Sequence, residues 1–467
     1  MIATTAWTRP KWLVRTVLTV CTCIAASAAL ALGPHEVALI VNDDSIESIL
    51  LADVYKRLRS IPDSNVIRIS LPEAVYDGQG TDISPEDFTK YIWEPVMKAI
   101  EESGARAQIL ACVYSCGFPT RVTSTPAMSI TGVTFVRNQL PASALVEQGS
   151  YVSDLFAGPS SAGKAAGPSS TFDSSRNRLL GAMPFPAMML AFTGNRGMAL
   201  EEAIDALELM VAADSTHPAG TFFFAVNKDV RSTSRHWEYQ GVADAINALE
   251  GQRSVVSTNM PEATDFPLSG FMTGARTVPL DQLQMVPGAY ADNLTSFGAA
   301  FDQSAHTKVT EWMKTGAVSS GTVVEPYAIW MKFASAYVFV HYLKGCTAIE
   351  SIYQSIASPL QILPMGDPLC KPWAPVTTPV ISRPEGALSG LVDFSASVKE
   401  ENPEVFLRYS WLVDGRIVAT GRTYVCDTRN FTDGKHTVRV VVKRHLESIR
   451  HQSFAEVQVE INNGGGK

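Results

Sequence analysis

Val37-Ala38-Leu39-Ile40-Val41-Asn42-Asp43-Asp44-Ser45 is the stretch whose reading decides the fold. Five apolar, largely β-branched residues make the short continuous run that a strand buried on both faces requires, and such strands belong to parallel sheets. Asn42 to Ser45 then offers turn residues and a helix N-cap. Downstream, Ile46, Ile49, Leu50 and Val54 fall near one helical face, and that helix ends before Ile61-Pro62. Val66 to Ile69 reads as a second strand. A second helix begins at Ser84-Pro85-Glu86-Asp87, where serine caps, proline fits the first turn and the acids face the positive end of the helix dipole; Pro95 kinks or interrupts it. Gln108 to Val113 is the third strand. This alternation predicts a doubly wound, mostly parallel α/β sheet.

Ligands of such sheets gather beyond the carboxyl ends of the strands. Three polar clusters follow predicted strands there: Asn42 to Ser45, Tyr114 to Arg121, and Asn227 to Ser232 after the apolar run Thr221 to Val226. They suggest a crevice on one edge, although the same Asp and Ser residues equally serve as helix caps. Helical periodicity covers Met198 to Met210 and Trp237 to Leu249, and Ser254 onward is β-prone. From Met285 to Tyr327 the chain uses glycines, small hydroxyl residues and single charges where a structural segment would use aliphatics, so it reads as the wall of the site or as tight turns around one helix. Within it, Pro287-Gly288 predicts a turn, Val309, Trp312 and Met313 a short helix with Trp312 in the core, and Glu325 a carboxylate among apolar neighbours. Ile329 to Tyr342 predicts a longer apolar helix, and Gln361 to Met365 a last strand running into Asp367-Pro368, a turn. A Ser/Gly-rich insertion near 120–184, containing GPSSAGKAAGPSS (158–170), reads as a loop or flap.

The amino terminus has Arg9, Lys11 and Arg15, then an uncharged run from Thr16 to Leu32 broken by Gly33-Pro34. A cationic start, a run too short to span comfortably and small residues at Ala26 to Ala31 predict a signal peptide over 1–32, with a retained anchor as the alternative. Cys21 and Cys23 lack the context of a lipoprotein cleavage site. Residues after 32 contain no further membrane span and are expected to be secreted or periplasmic, possessing a surface-associated option. The chain has 38 Lys and Arg against 46 Asp and Glu. Cleavage removes three cations and deepens this acidity, which argues against nucleic acid or an anionic membrane as partner. Five cysteines remain, and Cys346 with Cys370 could pair in an oxidising compartment. No His or Cys spacing suggests a metal site, and no cofactor is expected.

Past Trp373 a linker, Ala374 to Pro379, gives way to alternating strands: Leu391 to Phe394, Arg408 to Val413, Thr437 to Val442 and Val457 to Ile461. Asp414-Gly415 and Asp433-Gly434 predict hairpin turns. Residues 376–467 therefore predict an all-β sandwich after an α/β core of 33–375. This module holds twelve Lys and Arg against eleven Asp and Glu, near neutrality beside an acidic core, as two separate units would show. It either docks to a surface component or packs on the core.

PGAYADNLTSFG (287–298), HTKVTEW (306–312), GTVVEPY (321–327), YVFVHYLKG (337–345) and GDPLCKPW (366–373), with NDDSIES (42–48) and KDVRSTSRHW (228–237), resemble an uncharacterised family of secreted bacterial proteins over about residues 35 to 375. More remotely, the plan is similar to the gingipain-type cysteine peptidases of the caspase-like fold. That resemblance implies a caspase-like core, where the strand-helix alternation alone equally allows a flavodoxin-like one; separately, YSWLVDG (409–415) and DGKHTVRVVV (433–442) resemble bacterial immunoglobulin-like modules, which implies an immunoglobulin-like sandwich. The gingipain-type resemblance also implies a Gly-His-Gly motif at one sheet edge and a later cysteine. Here Thr273-Gly274-Ala275-Arg276 stands at the histidine motif and Pro287 to Gly298 contains no cysteine, so that dyad is absent. The expected function is a non-peptidase binding or surface protein for a small-molecule or peptide-like ligand, with Asp43, Ser45, Arg231, Asp292, Thr295 and Glu325 lining the site. The alternative is a hydrolase using Cys116 with His236, or Ser296 with His306 and Asp292. Arg121, Arg231, Arg235 and Arg276 follow predicted strands and suit an anionic ligand, or equally pair with Asp43, Asp44 and Asp229.

Overall fold

The computed structural model describes residues 32–78, 80–159, 184–261, 266–303, 306–399, 406–446 and 449–464. The expected leader up to residue 31, with Cys21 and Cys23, and most of the Ser/Gly-rich run lie outside these residues. No helix among the described residues is long and apolar enough to cross a membrane.

The run that opens the argument forms β1 (Val37–Asn42), buried along its whole length. Ser45 caps α1 (Ile46–Arg59) by accepting the Ser48 N–H. β2 (Val66–Ile69) and β3 (Ala111–Tyr114) pair in parallel with β1 on either side. Ser84 caps the second helical segment, but its irregularity precedes Pro95: residues Phe88–Trp93 are a π-helical turn, followed by α2 (Glu94–Glu102). Pro95 has no N–H to give, so the regular hydrogen-bond ladder is lost in the turn before it.

β4 (Ala187–Met189), β5 (Thr221–Ala225), β6 (Arg253–Ser257), β7 (Leu268–Thr273), β8 (Met285–Asn293), β9 (Val318–Thr322) and β10 (Ile362–Met365) complete a ten-stranded sheet. Its order is β2-β1-β3-β4-β10-β9-β8-β7-β5-β6. β10 is antiparallel to β9, whereas the pairs β9–β8, β8–β7, β7–β5 and β5–β6 are all parallel. The sheet is therefore mixed but mostly parallel. α3 (Leu200–Ala212) packs beside α1, and α4 (Tyr239–Asn247) beside β6.

The stretch read as a site wall supplies β8 and β9, in the middle of this sheet, and the loops that follow them. Pro287-Gly288 does not turn the chain. Leu268 pairs with Met285 and Gly270 already with Tyr290, so the extra residues bulge within β8, with Gly288 at φ +75°. β9 (sequence VSSGT) is fully buried despite its hydroxyls because each finds a partner: Ser319 donates to the Ala291 carbonyl at 2.7 Å, Ser320 meets the Tyr290 hydroxyl at 2.8 Å, and Thr322 donates to the Thr295 and Ser296 carbonyls. At Gly321 a Cβ would lie 2.7 Å from the backbone of Gly298, so only glycine lets that loop cross the strand. Trp312 is core, as expected, donating to Asn293 from α5 (Val309–Lys314). The apolar helix is shorter than predicted, a 3₁₀ turn at Trp330–Lys332 and then Tyr337–Leu343. The described part of the insertion, up to 159, is folded: Arg121–Val122 and Met128–Ser129 pair, and a helix spans Ile130–Phe135.

Asp367 is more than a turn residue. It is fully buried and accepts from Tyr55 at 2.8 Å and from Arg59, which also binds Asp214, so one ion cluster ties the ends of α1 and α3 to the segment after β10. All five cysteines among the described residues are free and buried, Cys346 and Cys370 included.

The C-terminal strands form an antiparallel sandwich: β11 (Pro379–Ser382), β12 (Leu391–Val398), β13 (Phe406–Val413), β14 (Arg416–Thr420), β15 (Thr423–Asp427), β16 (Gly434–Leu446) and β17 (Ile449–Ile461) in sheets β11-β12-β15 and β14-β13-β16-β17. Strict alternation of burial along β12 shows the period expected of a half-buried strand. Asp414-Gly415, both at positive φ, makes the predicted β13–β14 hairpin. Asp433-Gly434 does not make one; it carries the chain from one sheet to the other, and Asp433 accepts the Asn463 N–H. The sandwich packs on the core. Arg416 donates to Ser103, Asn65 and Ser64, Gln108 to the Gly415 carbonyl, Arg439 to Ser60, and Lys443 and Gln452 to buried Glu36.

Candidate functional site

Loops that follow β3, β4, β8 and β9 meet one another. Phe192 stacks on Phe301 with ring centroids 4.2 Å apart, and Arg121 donates to the Val323 carbonyl while pairing with Asp82 and Asp302 at 2.7 and 2.9 Å. An open cleft of about 490 Å³ lies here, lined by Tyr76, Asp77, Asp82, Arg121, Arg196 and Asp302 among others. It left little mark in the sequence, because Glu73, Asp77 and Asp82 come from a turn-rich segment with no periodic signal and Asp302 joins them from the loop after β8.

Further along the edge, the fully buried Arg235 donates to Asp292 at 2.8 Å, to the Thr273 and Ala334 carbonyls, and to the Tyr239 hydroxyl. Burial works against the charge of Arg235, but Asp292, Tyr239 and Glu238 together outweigh it and the guanidinium is held ionised. Tyr290 donates to the other Asp292 oxygen. Glu238 accepts the Ala336 N–H, and burial pushes its carboxyl up to about 8. Asp292 is thus a structural ion-pair partner at the end of β8, and it is closed to ligand.

Outside this node lies a cationic shelf. Gly274 has no Cβ because one would meet the Ser232 nitrogen at 2.1 Å, which presses the Thr273–Arg276 loop onto the Arg231 loop. The Arg276 carbonyl accepts the Thr307 N–H, which draws in the His306 loop. His306 Nδ1 makes a close hydrogen bond with Thr295 Oγ1, and its ring sits edge-on to Phe297 at 5.3 Å. Partial burial, together with Lys308, Arg231 and Arg276, lowers the His306 pKa. Trp237 follows His236, whose Nδ1 faces Ser232, and meets Trp330 edge to face; Tyr327 follows Glu325, whose charge acts on His306. Trp237 is 50% and Tyr327 75% exposed.

The expected site residues divide accordingly. Thr295 and Arg231 are at the shelf, although Arg231 also chelates Asp229. Glu325 borders it and accepts the Tyr327 N–H at 2.9 Å. Asp43 is elsewhere, paired with Arg68 at 2.7 Å, and Ser45 is spent as a helix cap. Among the described residues, Arg121, Arg231 and Arg235 pair with acids other than Asp43 and Asp44, namely Asp82 and Asp302, Asp229, and Asp292. Cys116 and His236 are not a dyad: they follow β3 and β5, six sheet positions apart, on the order of 29 Å at the usual strand spacing. Cys116 is fully buried, which pushes its thiol up to about 12, and His236 Nδ1 faces Ser232 at 3.5 Å. Ser296 does not face His306; Thr295 does, and that hydroxyl belongs to a residue 1% exposed. Among the described residues no group of three or more His, Cys, Asp or Glu is arranged to hold a metal ion.

Fold and edge together define an α/β protein with a mostly parallel ten-stranded sheet and a separate antiparallel sandwich. No family model matches the chain, and no curated protein does. Among solved structures it is similar to fibronectin(III)-like modules of Clostridium thermocellum CbhA, at 14% identity over 24% of this chain and 57% of that one, TM-score 0.15. It is also similar to the endo-beta-1,4-mannanase from Thermotoga petrophila, at 11% identity over 81% of this chain and 73% of that one, TM-score 0.14. Neither likeness carries an argument at such TM-scores.

Proposed function

We propose that this is an exported, non-peptidase binding protein whose ligand seats on the shelf formed by the loops after β5, β7 and β8. In this reading the core over 33–375 is a caspase-like scaffold without the thiol–imidazole dyad, and 376–467 is an immunoglobulin-like module that stabilises the core. The membership in a family of secreted bacterial proteins belongs to the same proposal. The observation that carries it is the state of the would-be catalytic groups. Cys116 is buried and protonated far from His236, Asp292 is locked to Arg235, and Ser296 has no histidine, while the groups left open are cations and aromatic rings. Nucleophilic catalysis needs a base within hydrogen-bond reach of an accessible nucleophile. The test is turnover of a mixed pool of fluorogenic peptides and esters by the mature chain: no cleavage is expected, and saturable cleavage abolished by Cys116→Ala or Ser296→Ala would overturn the proposal.

A further inference from the structure

We infer that the shelf is a subsite for a carboxylate that neighbours an aromatic or other flat apolar group, as in an acidic peptide end, with Arg276 and Arg231 taking the carboxylate and Trp237 and Tyr327 taking the apolar part. This deepens the binding reading above and rests on it.

Three loops are fastened so that their charges converge. Gly274 touches the backbone of Arg231 and Ser232, and Arg276 holds Thr307 beside His306. Arg276 is exposed and has no side-chain partner among the described residues. The Arg231 Nε is unpartnered but buried, and its Nη1 binds both Asp229 oxygens, so Arg231 meets a ligand only through the rest of its guanidinium. Lys308 is not available, because its Nζ donates to the Phe297 and Ala300 carbonyls at 2.7 and 2.8 Å. Asp229 and Glu325 bring negative charge to the rim, the first paired with Arg231 and the second acting on His306. With Nδ1 engaged by Thr295, Nε2 is the His306 nitrogen left for a ligand. In a chain with more acids than bases, this local excess of cations is complementary to an anion. Guanidinium forks match carboxylates.

The apolar half stands on the rings. Trp237 and Trp330 meet edge to face at 5.5 Å, and Trp330 continues to Phe156. Tyr327 and Ala328 both adopt left-handed backbone, φ +58° and +54°, a costly pair for residues with side chains, and this holds the Tyr327 ring outward beside Glu325. Large exposed rings in the same region as an unpaired guanidinium, that of Arg276, mark a recognition surface.

The experiment compares N-acetyl-phenylalanine with N-acetyl-phenylalaninamide by calorimetric titration of the mature chain, alongside Arg276→Gln and Trp237→Ala. The acid is expected to bind about tenfold more tightly than the amide, as one charge-assisted contact implies. Arg276→Gln should erase that difference, and Trp237→Ala should weaken both ligands while keeping it. Equal affinity for acid and amide, an unchanged preference in Arg276→Gln, or no saturable binding of either would overturn the subsite. Cleavage of peptide pools would instead sink the binding reading itself, so the two failures are distinguishable.

Discussion

Arg235→Met places the heaviest load on the structure just described. The substitution keeps the length of the stem but removes four hydrogen-bonded contacts: to Asp292, the Thr273 and Ala334 carbonyls, and Tyr239. Asp292 remains fully buried with Tyr290 as its donor. Breaking a buried pair from one side strands a charge and costs about 3–5 kcal/mol. Replacing both partners, Arg235→Met with Asp292→Leu, removes the stranded carboxylate and should recover much of that loss. Equilibrium urea unfolding, followed by circular dichroism, reads both. A single variant that loses less than about 1 kcal/mol, or a double variant no better than the single one, would refute the claim that Asp292 is a structural counter-ion.

Other consequences are more local. Burial holds His341 and His451 neutral in the folded state down to about 3, whereas unfolded imidazoles protonate near 6.5. Stability should therefore fall as pH drops through that window, by about 2 kcal/mol per ring at pH 5, and His341→Leu should flatten the acid limb in urea titrations at several pH values. Glu238, pushed up to about 8, acts the other way: the unfolded chain loses this proton near 4.5, so stability falls as pH rises from there to 8. Glu238→Gln, which keeps an acceptor for Ala336, should remove that slope. Native Cys116 should resist a thiol-specific reagent at pH 8, where about one thiol in ten thousand is ionised, and should label only on unfolding. Arg416→Ala should cost about 2–3 kcal/mol and split the unfolding of the sandwich from that of the core in calorimetry, since it loses contacts to Ser103, Asn65 and Ser64. Gly274→Ala should cost about 1–3 kcal/mol and loosen the shelf, because the neighbour at 2.1 Å is backbone and cannot rotate away.

Much of the architecture was legible because its elements announce themselves locally. β1, β2, β3 and β5 are short apolar runs, and Ser45 and Ser84 are caps with the expected partners. Alternation revealed the sandwich. β8 and β9 were hidden for a physical reason: Ser319, Ser320 and Thr322 satisfy their hydroxyls on backbone and tyrosine, so a central strand could be built from residues that otherwise mark loops. Pro287-Gly288 misled in the same way, since a bulge tolerates a turn sequence. The site was only half legible. That Thr295 would face His306, and Ser296 would not, depends on which side of one loop residue points inward. That Arg235, among four candidate arginines, would be the buried one depends on the crossing of the loops after β5 and β7. Neither distinction has a sequence period. Interface contacts such as Lys443 with Glu36 span more than four hundred residues and left no local mark.

The account turns on whether any side chain at the carboxyl edge is an activated nucleophile. The direct measurement is intact-mass spectrometry of the native, mature chain after exposure to a fluorophosphonate and to an iodoacetamide probe, with the adduct site mapped by peptide analysis. No stoichiometric adduct is predicted at Thr295, Ser296 or Cys116. A single stoichiometric adduct on any of the three, formed by the folded chain, would contradict the binding-protein reading and favour the hydrolase one.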